Sequence, residues 1–172
     1  MKRVFAWKAV AVALLAAVVV TGCGYQFTGR GTLPGGVSGL CVAVPENRSA
    51  DVRLGPMVAS AVVSEAISAG ADAAVGCTGR SGSLTGEIRT VSTSTITRNS
   101  DGDSTEERVT ITASFRLADE DGAVIWQRAS VTGTETYSVT PGSDSTSSRN
   151  AALDEAAEDL AENVWAGLTQ RF

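Results

Sequence analysis

Three cysteines, nineteen carboxylates and fourteen lysines and arginines are the residues in this chain that could do chemistry. There is no histidine. That removes the commonest general base and the commonest zinc ligand, and with them every Ser-His-Asp or Cys-His arrangement. Both lysines, Lys2 and Lys8, lie at the very start, so Ser-Lys and Schiff-base mechanisms are excluded for the rest of the chain. Asp119, Glu120 and Asp121 are adjacent, but they lead into Gly122 and read as a solvated hairpin turn. Asp101-Gly102-Asp103 is too short and isolated for a calcium loop. Gly29-Arg30-Gly31 opens no helix after a strand, so it has no phosphate-loop meaning. No enzyme and no metal site are expected.

The cysteine with a definite chemical context is Cys23. Lys2, Arg3 and Lys8 precede an uninterrupted apolar run from Ala9 to Val20. A positive start, a short apolar run and small residues before a cut site mark an export signal. The run is shorter than the roughly 20 residues a retained membrane helix needs. Thr21-Gly22-Cys23 resembles a bacterial lipobox. That resemblance implies residues 1–22 as a lipoprotein signal peptide, a diacylglycerol thioether on Cys23, and an N-acyl chain on the new amino group. An ordinary signal peptide with Cys23 as a bystander thiol is the alternative.

Removing the signal leaves 150 residues, the size of one domain. The signal carries three of the fourteen cations, so eleven, all arginine, face nineteen carboxylates, a net charge of −8. A chain this acidic is a poor binder of nucleic acid. Any anion site must be a local arginine cluster. Cys41 and Cys77 are the remaining cysteines. Export places them in an oxidising compartment. A bridge closing this loop would stabilise by about 3–4 kcal/mol; two small buried core residues is the other reading.

Residues 23–39 are glycine-rich and read as a tether, with 40–172 as a single domain. Leu40–Val44 is a short, apolar strand ended by Pro45. A helix follows, with Pro56 in its first turn, Ala59, Val62, Val63, Ala66 and Ile67 on one face, and Gly70 as its stop. Ala71–Cys77 is a second short strand. A strand–helix–strand unit makes a parallel pair, which would place Cys41 and Cys77 on neighbouring strands. From Leu84 the period changes to two, and Thr85–Thr97 reads as a long strand. In Arg108–Leu117, Val109, Ile111, Ala113, Phe115 and Leu117 share one face. Ala123–Tyr137 is a third long strand with apolar residues on both faces, which predicts a bulge. In the final helix Leu153, Ala157, Leu160, Val164 and Leu168 make a stripe, with Ala161 and Trp165 beside it. Asp154, Glu155, Glu158, Asp159 and Glu162 form the opposite, solvated face. The order predicts an α+β fold, two helices on one face of a mixed sheet of about four strands.

Cys23-Gly24-Tyr25-Gln26-Phe27-Thr28-Gly29 resembles the opening of the LptE family, the lipopolysaccharide-assembly lipoproteins. Leu33-Pro34 and Val42-Ala43-Val44-Pro45-Glu46-Asn47-Arg48-Ser49 continue the likeness, as do Leu84-Thr85-Gly86-Glu87-Ile88, Gly122-Ala123-Val124-Ile125-Trp126 and Tyr137. Gly76–Ser83 and the absence of lysine depart from it. The resemblance implies two helices on a four-stranded sheet. It implies a lipid-anchored protein on the periplasmic side of a Gram-negative outer membrane, since Gly24 rather than Asp follows the cysteine. It also implies an LptD-like β-barrel partner, inside which the chain sits as a plug, and lipopolysaccharide as ligand. Lipopolysaccharide phosphates need cations. Arg89, Arg98, Arg108 and Arg116, on or beside the first long hairpin, are the best candidates; simple surface arginines are the alternative. A scaffold lipoprotein of another envelope machine is the competing function.

Overall fold

The computed structural model describes residues 33–76 and 79–170. Its strands are β1 (Gly39–Val42), β2 (Glu46–Asn47), β3 (Asp72–Val75), β4 (Gly82–Arg98), β5 (Ser104–Asp119) and β6 (Val124–Ser138). Its helices are α1 (Leu54–Ser68) and α2 (Thr146–Thr169). The sheet order is β3-β1-β4-β5-β6, with β2 also on β4. β3, β1 and β4 are parallel, and β4, β5 and β6 are an antiparallel meander.

The class is the α+β arrangement expected, with six strands rather than about four. Part of the difference is β2. Pro45 has no N–H to give to a ladder, so pairing lapses after Ala43, whose N–H donates to the Leu84 carbonyl at 2.9 Å. It resumes at Glu46 opposite Glu87. Three residues lie between Val42 and Glu46, and two lie between their partners Leu84 and Glu87. β1 and β2 are thus one strand interrupted by a one-residue bulge.

The expected alternation of β5 holds, since Val109, Ile111, Ala113, Phe115 and Leu117 are all buried. So does the α2 stripe: Leu153, Ala157, Leu160, Ala161, Val164, Trp165 and Leu168 are buried. Each fully buried Leu, Ile or Val contributes about 1.5–3 kcal/mol. α1 buries Val58, Ala59, Val62 and Ala66. Ile67 is 56% exposed, so the apolar face is one residue narrower than its periodicity suggested. Gly70 ends the helix at φ 85°, with the Ala71 N–H returning to the Ala66 carbonyl.

The bulge expected in β6 lies between the pairs Ala113–Val131 and Phe115–Arg128. Two residues, Ala129 and Ser130, there face one, Ser114. The phase of β6 flips, so Trp126 and Val131 pack on the same core despite their odd spacing. β4 flips likewise at Arg89, between the pairs Ile88–Ala113 and Thr90–Thr112.

Residues 33–37 pack on the sheet, with Leu33 and Val37 buried. Cys41 lies in the middle of β1 and is disulfide-bonded. Cys23 and Cys77 lie outside the described residues. Arg53 joins the two helix starts: its Nη2 donates to Asp51 Oδ2 and to Asn150 Oδ1, each at 3.0 Å. That hydrogen bond holds the Asp51 carboxyl below its ordinary range.

Candidate functional site

The helices cover one face of the sheet, and among the described residues no element covers the other, which is bare in that sense. Two observations divide this bare face into halves. Beyond the β4 bulge it is a grid of hydroxyls. Thr90, Thr112 and Thr132 form one row, and Ser92, Thr110 and Thr134 the next. Before the bulge it carries charge. Thr85 pairs with Arg116 and Arg116 with Gln127, while Glu87 pairs with Ser114 on one side and Glu46 on the other.

These residues line a cleft of about 680 Å³ together with Arg89 and Ala129. Strand irregularities frame the depression. Both bulges adjoin it. Gly86 opposite Phe115 carries no side chain, and a Cβ there would stand 2.7 Å from the Phe115 ring. The ring fills that place on the core side, an arrangement that protects a strand glycine.

The cleft is electrostatically uneven. Arg48 bridges Glu46 and Glu87, at 3.3 Å each. Arg89 Nε lies 3.7 Å from the other Glu87 oxygen. These pairs are largely solvated and contribute little stability. Arg116 is exposed and makes no ion pair among the described residues. It stands among neutral partners, Thr85 and Gln127, with its charge available to an anion. Arg128 borders the cleft, but its Nε is 4.0 Å from where a Gly167 Cβ would stand, towards the end of α2.

The four arginines singled out by sequence separate into two and two. Arg89 and Arg116 share the cleft. Arg98 Nη1 donates to the Gly102 carbonyl at 2.7 Å and closes the β4–β5 turn. Arg108 Nε donates to Thr136 Oγ1 at 3.3 Å among the hydroxyl rows. It is eight residues from Arg116, about 27 Å along the strand. Sequence reasoning missed Arg48, Glu46 and Gln127. Glu87 was visible in the alternation Thr85-Glu87-Arg89, but its partners arrive through tertiary pairing.

The other charged features are structural. Asp119 Oδ1 accepts from the Asp121 and Ala123 N–H groups and caps its turn. Tyr137 OH donates to Glu107 Oε2 at 2.6 Å. Burial, then that hydrogen bond, push the Tyr137 phenol up to about 12. Among the described residues no helix is long and apolar enough to cross a membrane.

None of the curated proteins matches this chain in sequence. Solved structures share its fold. Uncharacterized lipoprotein B from Nitrosomonas europaea is 12% identical, with a TM-score of 0.53 over 85% of this chain and 90% of that one. Protein XCC0632 from Xanthomonas campestris, of the DUF330 family, is 17% identical, with a TM-score of 0.51 over 83% of this chain and 91% of that one. The family model described as LptE, Lipopolysaccharide-assembly, matches residues 37–166, most of the chain, including α1, most of α2, the meander and the cleft. The chain belongs to the LptE family.

Proposed function

We propose that this protein is an outer-membrane lipoprotein that plugs and supports assembly of the β-barrel lipopolysaccharide translocon, and that it binds lipopolysaccharide in transit without catalysing a reaction. Residues 1–22 are removed, acyl chains on Cys23 hold the protein at the periplasmic side, and the segment from Cys23 leads as a tether into the working domain, onto which its last residues, 33–39, already pack. Several chains on one residue give stable attachment, at about 0.8 kcal/mol per buried methylene. A disulfide from Cys41 to Cys77 ties β1 to the segment that follows β3 in the chain.

The observation that carries the reading is the bare sheet face. A body seated in a wide aqueous lumen needs a polar surface that is not strongly charged, and the Thr/Ser rows supply it. Beside them the cleft offers Arg116 and Arg89 to phosphate groups. Depletion of the protein in its own cell tests the function. Surface lipopolysaccharide is expected to fall severalfold while other outer-membrane lipoproteins persist. Unchanged surface lipopolysaccharide would contradict the proposal and favour a scaffold role in another envelope machine.

A further inference from the structure

The two long edges of the sheet are finished differently. The outer edge of β6 is sealed by α2: Thr134 N–H donates to Asp159 Oδ2 at 2.8 Å, and Asn163 Nδ2 donates to the Thr132 carbonyl at 3.1 Å. β4 is covered only along its first half. β1 pairs with Gly82–Leu84 and β2 with Glu87–Ile88. From Thr90 to Arg98 no described strand pairs on that side.

Register identifies the backbone groups left open. Leu84 and Ile88 turn their carbonyls towards β1 and β2, away from β5. Thr90 then pairs with Thr112, skipping Arg89. The alternation therefore points Val91, Thr93 and Thr95 outward and Thr90, Ser92 and Ser94 towards β5. Three N–H and three C=O groups face outward on a stretch, 90–97, that contains no charge and no proline. An uncharged, β-prone edge of this length is a template for another strand. The register shifts after Thr95 confine the regular part to Thr90–Thr95.

The edge is self-complementary. Its outward residues are symmetric about Thr93. An antiparallel copy centred there puts Thr93 opposite its equivalent, Val91 opposite Thr95 and Ser92 opposite Ser94. No like charges meet, although the chain as a whole is net negative. Paired Thr and Ser side chains are favourable across strands. A charged strand would find no complementary charge between Arg89 and Arg98. We infer that the open half of β4 pairs antiparallel with the same segment of a second copy, about a two-fold axis through Thr93. The seam is short, well below the area of a standard interface, so the association is weak and reversible. It rests neither on the arginine cleft nor on the function proposed above, and it describes the lipoprotein outside a barrel, since a copy seated in a lumen has no second copy beside it.

Cross-linking of the full-length lipoprotein in membranes, produced in excess over any barrel partner, tests it. Equivalent positions at the centre lie about 5.5 Å apart between Cα atoms, within disulfide range. Thr93→Cys should give a covalent homodimer on mild oxidation, at least fivefold more than Ser92→Cys, whose equivalent is displaced. In sedimentation of the detergent-solubilised protein, wild type should dimerise with rising concentration. Thr93→Pro removes one outward N–H and spares the β5 ladder, a place where edge strands tolerate proline. It should weaken self-association at least tenfold while melting within a few degrees of wild type. Equal cross-linking by both cysteine variants, cross-links to a different polypeptide instead, or unchanged self-association of Thr93→Pro would each overturn the inference.

Discussion

Gly133→Ala is expected to cost about 3 kcal/mol or more, at the upper end for overpacking a core. Gly133 is buried in β6, opposite Ile111. A Cβ built there would stand 2.0 Å from the Ala156 carbonyl oxygen and 2.5 Å from the Leu160 nitrogen. Both are backbone atoms in the middle of α2, so no side-chain rotation can relieve the clash. The helix must lift. Lifting it pulls Leu153, Leu160 and Val164 from the core and draws Asp159 and Asn163 off the β6 edge. Urea denaturation should show a lower midpoint with an unchanged slope, the signature of lost stability. Leu160→Ala should lose a similar 2–5 kcal/mol through a cavity instead of a clash. A Gly133→Ala midpoint equal to wild type would mean that α2 does not sit where described.

Arg116→Glu is expected to weaken binding of lipopolysaccharide at least tenfold and to leave the melting temperature almost unchanged. A hydrogen bond to a charged group contributes about 1.5–3 kcal/mol, which corresponds to roughly 10- to 100-fold. Glutamate also sets a repulsive charge against the phosphate. Stability should hold because Arg116 is exposed, with no ion pair among the described residues to lose. Arg89→Glu should have a smaller effect, since Arg89 already lies near Glu87. Arg98→Glu and Arg108→Glu should stay within about twofold, because Arg98 serves a turn and Arg108 sits far along β5. Titration of the mature lipoprotein with purified lipopolysaccharide, at two salt concentrations, checks the series. Equal losses from all four would replace the cleft with a diffuse charge effect.

Local periodicity made much of this fold legible. The α2 stripe and the β5 alternation are one-dimensional patterns that each bury a face, and burial selected them. Gly70 and Gly122 mark their turns because both hold positive φ angles. What escaped was set by pairing between distant segments. β2 has two residues, too few to carry a period, and exists because β4 offers it an edge. The flip of β4 at Arg89 is a matter of register and leaves no trace in the Thr/Ser composition around it. Asp159 read as one of five solvated acids, yet it accepts a backbone hydrogen bond from the sheet.

The cleft was half visible for the same reason. Thr85, Glu87, Arg89 and Arg116 follow from alternation along two neighbouring strands. Arg48 reaches Glu87 only once β2 has docked. Arg98 and Arg108 looked equivalent to Arg116 along the chain, but strand length carries them to the other end of the sheet.

Affinity purification of the mature lipoprotein from native membranes, with its partners weighed, bears most directly on the translocon role. The proposed plug role predicts one large β-barrel protein recovered in stoichiometric amount, retained through washes at high salt. Recovery of the lipoprotein without any large barrel partner would contradict it.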